Sequence, residues 1–205
     1  DQNQLKVDSV VLAVAAEISG LEVNITNNHW IFNARELAQE LGANEYLLIN
    51  DFTAQALSNS ALLSLKPSIN LQHHILLRMG VQTAGSPLLV TGPGTGLGVA
   101  ALLPSNSGPM VIEGEGGHVS FAPRDEGERN ILAVLAAEFG HVSAERVVSG
   151  PGLEAIYKIQ NDARLAAPEI GDGALAGDNK CLKAVNLMFK SFATAVSYTH
   201  LTLPT

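Results

Sequence analysis

The chain has 205 residues, of which 46% are hydrophobic and 16% are charged, a composition typical of a globular protein and not of a disordered one. Its net charge of −8, with only 12 Lys and Arg, argues against a nucleic-acid partner or an anionic membrane surface. Cys181 is the single cysteine, which excludes an internal disulfide and a thiolate zinc site and fits a reducing, cytoplasmic setting. No apolar run approaches the ~20 residues of a membrane span.

The first third of the chain predicts alternating strands and helices. Strands are expected at residues 9–16, 21–26 and 45–50, the first of them a continuous apolar run typical of a strand covered on both faces. A helix is expected over 33–42, with Asn33 as N-cap, Glu36 completing a capping box and Gly42 ending the helix. Strand, helix and strand in this order indicate a right-handed βαβ unit in a parallel or mixed sheet. A second helix is expected over 52–65.

The rest of the chain contains two glycine-rich turns and then mostly helices. Strands are predicted at residues 87–92 and 99–104, and residues 108–118 are predicted as a strand that enters the second glycine-rich turn. Helices are predicted at 126–139, 143–148, 153–165 and 180–196. In the first of these helices, Ile131, Leu135 and Phe139 form one apolar stripe, and Gly140 ends it. A turn and a loop are predicted at residues 149–152 and 166–179.

Two polar residues, Asn50 and Asp51, end the apolar strand "YLLI". In open α/β sheets, ligands bind beyond the carboxyl ends of the strands, so Asp51 is a candidate functional carboxylate. Asp51 also begins a predicted helix, where Asp is a good N-cap. The two roles do not exclude each other, and the local sequence leaves both open.

The segment "GPGTGLG" (92–98) could cradle a phosphate, because Gly94 and Gly96 let the backbone come close and Thr95 adds a hydroxyl donor. It lacks the Lys-Ser/Thr ending of a P-loop, and it is followed by a strand, which does not fit the dinucleotide fingerprint. A glycine-rich β-hairpin is the alternative interpretation.

The segment "EGEGGHVSF" puts Glu115 and His118 on one tight turn, and the two glycines between them are expected to leave room for a ligand. Metal ligation has weak support from two candidate ligands without a further cluster. Glu113 faces the same side as Glu115 if the strand continues, so the sequence leaves open which carboxylate acts. Glu145, in the predicted short helix, is either a ligand or an acidic residue favoured by the helix dipole.

Five segments together resemble the bacterial glucokinases, the ATP-dependent hexose kinases of the hexokinase–actin superfamily. They are "TNNHWIF", "LLINDFTAQAL", "GPGTGLGVA", "GEGGHVSFAP" and "FGHVSAERVVSGPGLEAIY", and the resemblance runs from about residue 8 to about residue 195. It implies an α/β fold of the actin-like ATPase (ribonuclease H-like) architecture. It also implies transfer of the γ-phosphoryl group of ATP, accompanied by Mg²⁺, to the 6-hydroxyl of glucose.

The resemblance also implies roles for individual residues, with Asp51 as the catalytic base. The residues implied in sugar binding are Asn50, Asp51, Glu115, His118 and Glu145. Those matching a nucleotide-phosphate segment are Gly94, Thr95 and Gly96, and residues 149–152 match a segment near the nucleotide. No residue is assigned to a metal, since Mg²⁺ would arrive with ATP.

The chain departs from the family at both ends, so we expect an incomplete fold. The family's N-terminal phosphate loop and its C-terminal adenosine site are missing from the sequence. We expect residues 1–62 to be the remainder of a small N-terminal domain, 63–196 part of a larger one, and 197–205 a non-native tail. Little or no kinase activity is expected from this chain, and activity is expected from its full-length parent, for which a homodimer stays open.

Two alternative functions are weighed against a glucokinase. A sugar kinase of the related repressor/kinase group would carry a Cys-rich zinc motif near its sugar-binding His, whereas Cys181 lies far from His118 in sequence. A sugar-binding regulator that has lost catalysis would not need Asp51, which is present.

Overall fold

A computed structural model describes residues 7–16, 18, 20–25, 29–60, 83 and 85–199. Of residues 198 and 199 it describes the backbone alone. The chain divides into two compact units. The first consists of Asp1–Val90 and Ala100–Glu113, and the second of Thr91–Val99 and Gly114–Thr205. The domain boundary predicted after residue 62 lies outside the described residues, as does the ambiguous stretch 69–80.

In the first unit, strand β1 (Ser9–Val14) pairs in parallel with β4 (Glu45–Asn50), with Val14 opposite Asn50. The connection holds an antiparallel pair, β2 (Glu22–Asn24) and β3 (Ile31–Asn33), and then helix α1 (Ala34–Glu40). The predicted parallel pairing is therefore confirmed for β1 and β4. The connection between them also contains β3, which was not predicted.

The prediction that β1 is covered on both faces is wrong. Its residues alternate in exposure, and Val11 is 62% exposed whereas Val14 is buried. The described contacts cover one face, where Val14 packs in a small cluster with Val23, Phe32 and Leu48. A two-stranded sheet with one packed face produces this period-2 pattern, which the uniformly apolar sequence does not reveal.

Helix α1 begins after Asn33 and ends before Gly42, as its sequence predicts, but the hydrogen bonds described for its start do not include the Glu36 side-chain bond of the predicted capping box. The Asn33 side chain accepts hydrogen bonds from the backbone N–H groups of Arg35 (3.0 Å) and Glu36 (3.3 Å), so it caps two donors that the helix leaves unpaired. Gly42 follows with φ +76°, the left-handed conformation that commonly terminates a helix. Helix α2 (Asp51–Ser58) follows β4 without a linker.

A third sheet has the strand order β5 (Leu88–Pro93), β6 (Leu97–Leu103) and β7 (Met110–Gly114). Residues 94–96 and 104–109 connect these neighbouring strands, and such short connections join antiparallel strands. All three strands were predicted and are confirmed. In the first unit, Ala100 and Leu102 of β6 are buried with Ala56 of α2.

The described part of the second unit is built mainly from four helices: α3 (Glu126–Phe139), α4 (Gly150–Asn161), α5 (Ala167–Leu175) and α6 (Asn179–Thr199). Its largest fully buried apolar side chains include Ile131, Ile156 and Ile170, each contributing about 1.5–3 kcal/mol by burial. Phe139 is 44% exposed, so its prediction as part of the buried stripe is wrong. Its ring lies instead 4.0 Å from the Arg146 guanidinium.

Three local predictions in this unit are wrong. Residues 143–148 form hydrogen-bonded turns and not a helix, with Arg146 N–H donating to the Ser143 carbonyl at 3.1 Å. Residues 149–152 are not a separate turn, because Ser149 caps α4 and the helix starts at Gly150. The loop predicted at 166–179 contains α5, and its start is stabilised by the Glu169 carboxylate, which accepts from Ala166 N–H at 2.9 Å.

Helix α6 covers the predicted segment and continues to Thr199, three residues into the predicted tail, and residues 200–205 lie outside the described part. Within the described residues, none of the helices combines the length and apolar character needed to cross a membrane.

Candidate active site

The first group of candidate residues lies at the junction of β4 and α2. Asn50 is the N-cap of α2, and its Oδ1 accepts a hydrogen bond from Phe52 N–H at 2.8 Å. Asp51 is the first helical residue, and its Oδ1 accepts from the same N–H at 2.9 Å. The helix-cap interpretation therefore belongs to Asn50 and was wrong for Asp51.

This division of roles leaves useful groups on both side chains. Because Asn50 uses its Oδ1 for capping, its Nδ2 amide can offer two donors to a ligand. Asp51 lies in the first turn of α2, where the helix dipole favours a negative charge, and one of its oxygens engages a backbone N–H. Both side chains are half-buried. The junction can therefore present an amide donor beside a carboxylate acceptor.

The second group lies in the second unit, where three predicted site residues come together. A 3₁₀ turn over Gly116–His118 follows β7, and His118 N–H donates to the Glu115 carbonyl at 3.0 Å. His118 Nε2 is 3.8 Å from Glu115 Oε2 and 3.7 Å from Glu145 Oε1. These separations exceed a hydrogen bond, and the His118 and Glu115 side chains are 63% and 84% exposed. Ligand hydroxyls can thus reach all three side chains from solvent.

The two glycines of this turn do not leave room for a ligand, contrary to the expectation from sequence. A Cβ on Gly117 would overlap the carbonyl oxygen of Leu97 and lie 3.0 Å from its Cβ. A Cβ on Gly116 would lie 2.9 Å from the Val99 side chain. The glycines let the turn pack closely against β6, and this packing is what holds Glu115 and His118 in place.

Glu113 and Glu115 have different surroundings, a distinction that the sequence left open. The Thr53 hydroxyl of α2 donates a hydrogen bond to Glu113 Oε1, so Glu113 is engaged within the first unit. Glu115 lies beyond the end of β7 and faces His118 in the second unit. Of these two carboxylates, Glu115 is the one that lies beside His118.

Glu145 lies in a turn, not in the predicted helix, so the helix-dipole alternative for it is wrong. Its backbone N–H donates to the Gly117 carbonyl at 2.9 Å, which joins this turn to the His118 turn. Its carboxylate Oε2 accepts from Leu97 N–H at 3.0 Å. The Glu145 carboxylate therefore has one oxygen on the start of β6 and the other towards His118.

The glycine loop is the connection between β5 and β6, as the hairpin alternative predicts. Gly94 N–H donates to the Gly96 carbonyl at 2.7 Å, and Gly150 N–H, at the start of α4, donates to the Gly94 carbonyl at 2.8 Å. Thr95 is exposed, and a Cβ on Gly94 would meet nothing within 4 Å. This open backbone with a nearby hydroxyl fits a phosphate group, so both interpretations of the loop remain compatible.

A match to a known family covers the whole chain. Residues 1–205 fit the family model described as Glucokinase. The chain belongs to the glucokinase family. A glucokinase of Salmonella heidelberg (strain SL476) is 40% identical over 195 residues, which cover 91% of this chain and 58% of the relative. The chain therefore spans little more than half the length of that glucokinase.

Solved glucokinase structures have the same fold. The crystal structure of a glucokinase from an Antarctic psychrotroph superposes with a TM-score of 0.71 at 30% identity, covering 93% of this chain and 59% of that one. A Balamuthia mandrillaris glucokinase in complex with glucose superposes with a TM-score of 0.66 at 26% identity, covering 92% and 59%. These likenesses confirm the predicted family and the α/β fold class.

In this glucokinase-family chain, the predicted site residues fall into two sets. Asn50 and Asp51 belong to the first unit, and the Glu115, His118 and Glu145 set belongs to the second together with the glycine loop. Sequence reasoning missed the backbone N–H groups of Leu97 and Gly150, which hold Glu145 and the loop. Backbone donors carry no residue-type signal.

Among the described residues, no group of three or more His, Cys, Asp or Glu could hold a metal ion.

Proposed function

We propose that this chain supplies the glucose-binding residues and the catalytic base of a glucokinase, which transfers the γ-phosphoryl group of ATP to the 6-hydroxyl of glucose. The observation that carries the proposal is the convergence of Glu115 and Glu145 on His118 in a chain of the glucokinase family. A hexose presents adjacent hydroxyls that each donate and accept, and charged acceptors bind such groups about twice as strongly as neutral ones.

In this proposal, each side chain has a distinct task. Asp51 accepts the proton of the attacking hydroxyl, and the Asn50 Nδ2 amide donates to a sugar oxygen. Glu115 and Glu145 accept hydrogen bonds from sugar hydroxyls, and His118 either donates or accepts according to its tautomer. Phosphoryl transfer depends mainly on positioning and charge stabilisation, and these are the tasks proposed for the groups of the two units.

The nucleotide side of the proposal involves the glycine loop. ATP, with Mg²⁺ on its phosphates, supplies the transferred phosphoryl group, and Gly94, Thr95 and Gly96 would face those phosphates. The exposed Thr95 hydroxyl and the open space at Gly94 support this role. A cytoplasmic location, a domain division near residue 62 and a homodimeric parent stay predictions.

The test uses a full-length glucokinase that carries this segment. Asp51→Asn removes the base and preserves the shape of the side chain, so kcat should fall about 10²–10⁴-fold while the Kd for glucose changes only slightly. Glu115→Gln should raise the Kd for glucose about tenfold, because a charged acceptor is lost.

Glu113→Gln is the matched control, since Glu113 is a neighbouring carboxylate that is engaged by Thr53. It should leave the Kd for glucose unchanged. Full kcat in Asp51→Asn would refute the assignment of the base. Glucose binding by the parent without any phosphorylation would instead indicate the sugar-binding regulator.

A further inference from the structure

Glu145, one of the carboxylates proposed to bind the sugar, also contacts the end of the glycine loop. Its Oε2 accepts from Leu97 N–H at 3.0 Å, and Leu97 is the residue directly after Gly96. Its Oε1 lies 3.7 Å from His118 Nε2. The Glu145 side chain is 34% exposed, so most of its surface is covered.

Gly96 lies directly against this carboxylate. A Cβ on Gly96 would overlap Glu145 Oε2 and lie 3.0 Å from Glu145 Cδ and 3.6 Å from Cγ. Those three atoms are the nearest neighbours of this position, and all belong to the end of one flexible side chain. A methyl group at position 96 would therefore displace the Glu145 carboxylate and leave the backbone in place.

We propose that Gly96 and the Leu97 amide position Glu145 for the sugar, so that a residue of the nucleotide loop sets the affinity for glucose. This inference rests on the proposed function. This positioning role is separate from the phosphate role proposed for the loop. The Glu145 carboxylate lies where the Cβ of a residue at position 96 would be, so a side chain there would act on Glu145. Gly96 is a positioning residue and acts on the sugar through Glu145.

The neighbouring Gly94 provides a matched comparison within the same loop. A Cβ on Gly94 would meet nothing within 4 Å, and neither Gly94 nor Gly96 has a positive φ. Gly94→Ala and Gly96→Ala therefore add the same methyl group without backbone strain. Of the two, Gly96→Ala alone places that group against Glu145.

The experiment measures D-glucose binding by calorimetry, without nucleotide, to a full-length glucokinase that carries this segment. Gly96→Ala should weaken glucose binding at least about tenfold, the loss expected for one charge-assisted hydrogen bond. The role proposed for Gly94 is on the phosphates, which are absent from this assay, so Gly94→Ala should leave the Kd for glucose within about twofold of wild type. In a double-mutant cycle, Gly96→Ala should have no further effect once Glu145→Ala is present, because both changes remove the same interaction.

A second measurement reports on the contact without glucose. In ¹H–¹⁵N spectra of the 205-residue chain, the Leu97 amide proton should shift upfield in Gly96→Ala and in Glu145→Ala, since both lose its acceptor. It should hardly move in Gly94→Ala. Equal glucose affinity in Gly96→Ala and wild type, or additive effects in the cycle, would overturn the inference while leaving the proposed function intact. Absence of glucose binding in the wild-type protein would refute the proposed function itself.

Discussion

The change Gly117→Ala tests whether the glycines of the His118 turn serve packing. The new Cβ would overlap the Leu97 carbonyl oxygen and lie 3.0 Å from Leu97 Cβ and 3.2 Å from the Leu97 carbonyl carbon. Two of these three atoms are backbone of β6, which cannot rotate away as a side chain can. Forced overpacking of this kind costs about 1–3 kcal/mol. For a chain of this length, 2 kcal/mol corresponds to a Tm lowered by about 4–8 °C.

Urea and thermal unfolding followed by circular dichroism at 222 nm measure this loss. Gly171→Ala is the control, because Gly171 lies inside α5 and a Cβ there would meet nothing within 4 Å. That substitution should stabilise the chain by up to about 1 kcal/mol through helix propensity. The two Gly→Ala changes should therefore differ in sign. An unchanged urea midpoint for Gly117→Ala would contradict the packing role and favour a role in leaving space for a ligand.

Three further predictions concern the second unit. Asp178 Oδ1 accepts from the N–H of Cys181, the main reason why its pKa lies below the ordinary 3.8, so Asp178→Ala should lower Tm. This difference should be full at neutral pH and disappear as pH falls through the depressed pKa, which thermal scans at several pH values would reveal. Glu128 is fully buried and accepts from Arg124 N–H and the Ser191 hydroxyl, so Glu128→Ala should cost about 2–4 kcal/mol in urea unfolding. Glu128→Gln, which keeps an acceptor, should cost less than half of that, and equal losses would contradict the reasoning. Burial raises the pKa of the Cys181 thiol, so it should react with a disulfide reagent at pH 8 only after denaturant is added.

Local sequence signals predicted the elements whose ends depend on local chemistry. The N-cap Asn33 and the glycines that end α1 and α3 were predicted correctly, because each acts within a few residues of the chain. Helix α5 was missed because its sequence, with Pro168 and two glycines, has low helix propensity. It is stabilised by tertiary packing, with Ile170 fully buried and Gly173 closely packed against Cys181. Such packing leaves no trace in a window of sequence.

The candidate site shows the same division between chemistry and geometry. Glu115 and His118 were singled out because they flank two glycines on one predicted turn, whereas the sugar-binding role of Glu145 came only from the family resemblance. Which of Glu113 and Glu115 lies beside His118 depends on where β7 ends, and the end of this strand at Gly114 could not be predicted from the sequence pattern. In the same way, Asn50 and not Asp51 is the helix cap because α2 begins at Asp51, one residue earlier than predicted.

The glycines of the 92–98 loop and of the His118 turn are close to different kinds of neighbour, so substitutions at them should have different effects. None of Gly96, Gly116 and Gly117 has a positive φ, so backbone conformation does not require glycine at any of them. Each is required by a close neighbour, and the nature of that neighbour decides the consequence of a substitution. At Gly117 the neighbour is the backbone of β6, so a methyl group should reduce stability. At Gly96 the neighbour is the end of the Glu145 side chain, which can move, so a methyl group should spare stability and weaken the sugar site. Identical substitutions twenty-one residues apart should therefore separate folding from binding.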